Sequence, residues 1–127
     1  MTPFGEQVRK LRAERGRTLK DMAEGVGVSA AYLSALEHGR RGRPSWYLIQ
    51  RIIAYFNIIW DEAEELVRLA HLSHPGVVAR TGGLSPRATE LCNKLAANVA
   101  RLREDDLEHL LTGLSEAIDR SAKRHRR

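Results

Sequence analysis

The chain has 127 residues, 43% of them hydrophobic and 29% charged, with a formal charge of +5. That length suits one compact domain plus an appendage, and the composition is that of a folded protein rather than a disordered one. No apolar run approaches the roughly 18 residues of a membrane span, and no long apolar core marks a secretory signal near the start, so the cytoplasm is the expected compartment. The single cysteine, Cys92, has no internal partner and falls among helical apolar positions, where a reduced core or interface residue is expected.

Charge is unevenly placed. The first 48 residues hold nine Lys or Arg against five Asp or Glu, and residues 120–127 hold five basic residues and no acidic one. The stretch between them is net acidic. Basic charge gathered at two places suits a polyanionic partner.

In chain order, Phe4, Val8 and Leu11 recur at helical spacing and predict a first helix over residues 4–15, stopped by Gly16. Arg9, Lys10 and Arg12 decorate its outer faces. Residues 19–38 follow, reading LKDMAEGVGVSAAYLSALEH. A helical phase through Leu19, Met22, Ala23 and Val26 breaks at Gly27 and resumes after Ser29 with Leu33 and Leu36. Thr18 with Asp21 is a capping-box signature, and Ser29 is a ready cap for the second helix. Gly27 accepts the positive φ of a tight corner, while Ala23 is small enough for two helices to meet closely. Together these positions predict a helix-turn-helix whose second helix enters a major groove.

Gly39 suits the C′ position of that helix. Residues 40–44, ArgArgGlyArgPro, form a basic loop. Ser45 caps a fourth helix, in which Trp46, Ile49, Ile52, Ile53 and Phe56 are expected to be buried. A fifth helix is predicted over residues 60–71, with Trp60 also read as core, acids in its first turn, and Ala63, Leu66, Val67 and Ala70 facing inward. Residues 73–84 hold a proline and glycines and read as a linker on which Val77 and Val78 have some docking site. Ser85-Pro86 opens a sixth helix with the stripe Ala88, Leu91, Leu95, Val99 and Leu102. Leu107, Leu110, Leu111, Leu114 and Ile118 mark a seventh, with Asp105 and Glu108 as a capping pair. A hairpin of this size cannot bury both stripes by itself and needs a partner surface. The basic end, residues 123–127, is expected to be disordered.

The expected fold is therefore all-α. The expected domains are residues 1–72 for DNA binding, a linker over 73–84, and a dimerising hairpin with a basic tail over 85–127. Residues 4–72, above all Tyr32-Leu33-Ser34, Leu36-Glu37, Gly39 and Pro44-Ser45, resemble the Cro/CI-type helix-turn-helix domain of phage repressors and the xenobiotic-response-element family of bacterial regulators. That resemblance implies a five-helix, lambda-repressor-like bundle followed here by a C-terminal helical hairpin, a third helix that reads DNA, and binding to operators as a dimer. It also implies a structural role, with no base contact, for Glu37.

Carried across by register, the groove-facing positions are Ser29, Ala30, Ala31, Tyr32, Ser34 and Ala35. Alanine packs on a thymine methyl but makes no bidentate hydrogen bond to a base. Direct readout then falls to Tyr32, Ser34, Lys20 and a loop arginine, with DNA shape supplying the rest. Phosphate contacts are expected from Arg9 or Arg12, and from Lys20, Ser29, Arg40, Arg41 and Arg43. Leu91, Leu95, Leu107, Leu110, Leu114 and Ile118 are expected at the dimer contact.

No nucleophile elbow or phosphate loop is present, and the carboxylate runs sit at helix starts, where they serve the dipole. His71 and His74 lack a nearby third ligand. An enzyme is therefore not expected, nor a cofactor or metal. The reading is a transcriptional regulator, a repressor acting as a homodimer on an inverted-repeat operator, with room for a protein partner at the hairpin. Two alternatives remain open at this point: an antitoxin or restriction-system controller, and an interaction adaptor that keeps the fold without binding DNA.

Overall fold

A computed structural model describes residues 1–125. Over these residues the regular structure is helical: α1 (Pro3–Glu14), α2 (Leu19–Val26), α3 (Ala30–Glu37), α4 (Trp46–Phe56), α5 (Asp61–His71), α6 (Pro86–Asn98), a short 3-10 turn (Val99–Arg101) and α7 (Glu104–His125). The chain forms two compact units, Met1–Val78 and Ala79–Arg127.

Within the first unit, local chemistry sets each helix boundary. Thr2 caps α1 by accepting the Gly5 N–H, and Gly16 leaves the helix at φ 62°. At α2 both halves of the capping box are made: Thr18 Oγ1 accepts the Asp21 N–H, and the Asp21 carboxylate accepts the Thr18 N–H. The Thr18 N–H donated to its carboxylate, with the Thr18 side chain beside it, favours the ionised acid and holds Asp21 below the usual carboxylate range. Gly27 turns the corner at φ 79°, a conformation that costs a residue with a Cβ about 1–2 kcal/mol. Val28 N–H then returns to the Ala23 carbonyl, closing the end of α2. Ser29 and Ser45 cap α3 and α4, accepting from Tyr32 N–H and Leu48 N–H.

Phe4, Val8 and Leu11 from α1, Met22, Ala23 and Val26 from α2, Leu33 and Leu36 from α3, and Ile52, Phe56 and Leu66 from α4 and α5 meet in one core. Each large side chain fully buried there contributes about 1.5–3 kcal/mol of transfer free energy. Two glycines matter through packing alone. A Cβ on Gly5 would overlap the Glu37 carbonyl oxygen, and one on Gly25 would overlap the Tyr55 ring. The start of α1 therefore lies against the end of α3. Thr2 N–H seals that contact by donating to the Glu37 carbonyl at 3.0 Å.

Several expectations are corrected. Trp46 and Trp60 are not core residues; they are 65% and 80% exposed. The buried stripe of α4 is Leu48, Ile49, Ile52 and Phe56, and Trp46 lies about 100° around the helix from its centre. Trp60 is the cap residue before α5, at φ 54°, and Ile58 fills the inward position two residues earlier. Ser73 belongs to the first unit rather than to a free linker: it is buried, and its Oγ accepts the Phe4 N–H at 2.9 Å. Val77 and Val78, expected to dock, are about four-fifths exposed.

In the second unit Pro86 opens α6 as expected. Helix α7 is longer than the sequence reading, starting at Glu104 and running through Lys123 and Arg124 to His125. The expected disorder of this basic end does not hold there. Arg126 and Arg127 lie outside the described residues. The capping pair Asp105 and Glu108 gives way to Asp106, whose carboxylate accepts the Arg103 N–H. Neither α6 nor α7 buries a residue, and Leu91, Leu95, Leu110, Leu114 and Ile118 are roughly half exposed or more. Cys92 is half-buried.

Candidate nucleic-acid interface

Helix α3 is held from three sides by bonds to its two ends and to its neighbour. At its start Ser29 accepts the Tyr32 N–H at 3.0 Å. At its end Arg40 N–H donates to the Ala35 carbonyl at 2.9 Å, and the Gly39 N–H to Leu36. Arg51 of α4 donates to the Val26 carbonyl at 3.0 Å, fixing the close of α2 just before the corner. Leu33 and Leu36 bury the inner side of the helix. The outer side is thereby fixed in orientation.

The residues expected in the groove are not equivalent. Ala31 is exposed. Ser34 and Ala35 are half-buried one turn later, while Ala30 and Tyr32 pack partly against the core. Tyr32 still presents its ring at the surface, where the Arg41 guanidinium lies over it, 5.5 Å from the ring centre. A cation over an aromatic face contributes about 0.5–1 kcal/mol at an exposed site. This contact ties the basic loop to the recognition helix. Sequence spacing did not reveal it.

Arg40, Arg41 and Arg43 are all exposed, and buried Pro44 anchors the loop that carries them. Lys20 is exposed in the first turn of α2, and Arg9 on α1. Among the described residues none of these five cations is paired with a carboxylate; the ion pairs formed are Arg12–Glu37, Arg15–Glu14 and Arg68–Glu65. Free cations beside an outward helix face make a surface for phosphates.

Arg12 departs from its expected role. It turns inward and lies 8% exposed, with both guanidinium nitrogens on the Glu37 carboxylate. A side chain held in this way reaches no phosphate. The pair instead braces α1 against the last turn of α3, and the expected structural role of Glu37 is met through a carboxylate only 1% exposed.

The sequence reading also missed polar and aromatic features beside this surface. His38 Nδ1 lies 2.8 Å from the Ser34 carbonyl at the exposed end of α3. Trp46 and Tyr47 stack edge to face at 5.4 Å in the first turn of α4, directly after the basic loop. A bulky pair at the first turn of a capped helix, beginning two residues beyond a proline, was the available signal.

Residues 3–66 match the family described as helix-turn-helix domain. Among curated relatives, the chain is 36% identical over 61 residues to the uncharacterized HTH-type transcriptional regulator RghRB of Bacillus subtilis, covering 48% of this chain and 44% of that one. It is 41% identical over 61 residues to the HTH-type transcriptional repressor RghR of the same organism, covering 48% and 45%. The chain thus matches less than half the length of either. Of solved structures, a SinR protein/SinI protein complex aligns over 91% of this chain and 98% of that one, with 19% identity and a TM-score of 0.45.

Proposed function

The chain belongs to the helix-turn-helix domain family, and from that premise we propose that it is a DNA-binding transcriptional regulator, a repressor that occludes promoter DNA. The observation that carries this reading is the outward side of α3, with Ala31 exposed and Arg40, Arg41 and Arg43, unpaired among the described residues, on the loop that directly follows it. The cations supply sequence-independent affinity and set the register. Reading falls to Tyr32, Ser34 and apolar contact by Ala31 and Ala35, supplemented by DNA shape, because short side chains make no bidentate pair with a purine.

The reading extends to a homodimer on an inverted repeat. Two copies joined at residues 85–127 bring two α3 helices to successive major grooves, about 34 Å apart. Joining raises the local concentration of the second module to roughly millimolar, which turns a weak contact into a tight one. The exposed leucines of α6 and α7 support this use of the hairpin.

Selection from a pool of random duplexes tests the proposal. Enrichment of an inverted repeat with half-sites one helical turn apart is expected. Retention of duplexes without any shared sequence would reject specific operator binding.

A further inference from the structure

Helix α7 divides by charge. Its first turns carry Glu104, Asp105, Asp106 and Glu108, and its last turns Arg120, Lys123 and Arg124. Between them runs the exposed apolar stripe Leu110, Leu111, Leu114 and Ile118, continued by half-buried Leu107 among the acidic turns. An amphipathic face of this length, left half or more open, needs an occupant.

Resting on the dimer reading above, we infer that the occupant is α7 of a second copy, running antiparallel and centred on Leu114. The helical repeat carries the argument. With 100° per residue, Asp106, Arg120 and Arg124 all fall on the same flank of the stripe. Asp106 precedes Leu114 by eight residues, and the two arginines follow it by six and ten. At 1.5 Å per residue these offsets are about 12, 9 and 15 Å. Turning the helix end for end about Leu114 therefore sets Asp106 of one copy between Arg120 and Arg124 of the other, twice over by symmetry. Leu110 and Ile118, each four residues from Leu114, come level in the same operation. Gly113 puts no side chain beside the crossing, and nothing in the structure lies close to where its Cβ would be. Glu116 and Asp119 fall on the outward side. A parallel pairing would instead set the acidic turns against each other and the basic turns likewise, which is unfavourable at both ends.

The test is sedimentation equilibrium of the full chain at low salt. The wild type is expected to dimerise. Asp106→Arg turns an attraction into a repulsion at both ends of the dimer and should weaken it about tenfold. Arg120→Glu with Arg124→Glu should weaken it comparably. Asp106→Arg combined with both arginine reversals should recover most of the wild-type constant, which a mere loss of the Asp106 cap would not allow. An unchanged dimer constant for Asp106→Arg, or no recovery in the triple variant, would overturn the antiparallel register while the dimer stands. A wild type that stays monomeric at tens of micromolar would overturn both.

Discussion

Arg12 and Glu37, 25 residues apart in sequence, meet in the interior as a two-armed ion pair. The guanidinium also lies 3.5 Å from the Met22 sulfur, so α1, α2 and α3 converge at one polar point inside an apolar core. Desolvating both charges is costly, and the pair contributes orientation more than net stability. Its position explains why α3 presents a fixed outer side.

Breaking one half of this pair leaves a buried charge alone. Arg12→Met should destabilise the first unit by about 3–5 kcal/mol in urea unfolding, because Glu37 would keep its carboxylate without a partner. Arg12→Met with Glu37→Leu should recover most of that loss. Equal loss in the single and double variants would mean that packing, not charge pairing, governs the site.

The loop arginines are expected to anchor rather than read. Each phosphate contact contributes a slope of about −0.9 to log affinity against log salt. Replacing Arg40, Arg41 and Arg43 with alanine should flatten the salt dependence by up to roughly three contacts. Specific and random duplexes should weaken alike. If the specific site alone weakens, one of the three reads a base, and Arg41, positioned over Tyr32, is the first to examine.

Leu110→Glu with Leu114→Glu places charge in the middle of the α7 stripe. Light scattering should then report monomers, and operator affinity should fall by about two orders of magnitude through loss of the second module. Both residues are about half exposed, so the helical spectrum should persist. A double variant that remains dimeric would move the contact away from the hairpin.

Much of the fold was legible because its signals are local. Caps at Thr18, Ser29 and Ser45, the positive-φ glycines 16, 27 and 39, and the apolar phases of α1 to α3 each depend on neighbours within a turn. What escaped depends on distant partners. Nothing in the spacing of Arg9 and Arg12 tells which one finds Glu37, and the need for no side chain at Gly5 and Gly25 comes from Glu37 and Tyr55. Trp46 and Trp60 were misread because hydrophobicity was taken as burial, although both stand at helix starts beyond the edge of the core. At the candidate interface, the cations were readable from composition, whereas the packing of Ala30 and Tyr32 toward the core required the angle between α2 and α3.

The most direct measurement is the affinity of Ala31→Asp for its selected duplex, read by fluorescence anisotropy beside the wild type. Ala31 is exposed in the first turn of α3, where an acid suits the helix dipole, so the melting temperature and circular dichroism should be close to unchanged. A carboxylate there would face phosphates and the acceptor atoms of the major groove. Affinity should fall at least about a hundredfold, roughly 2.7 kcal/mol. A folded Ala31→Asp protein that binds its duplex as tightly as the wild type would contradict DNA recognition through α3.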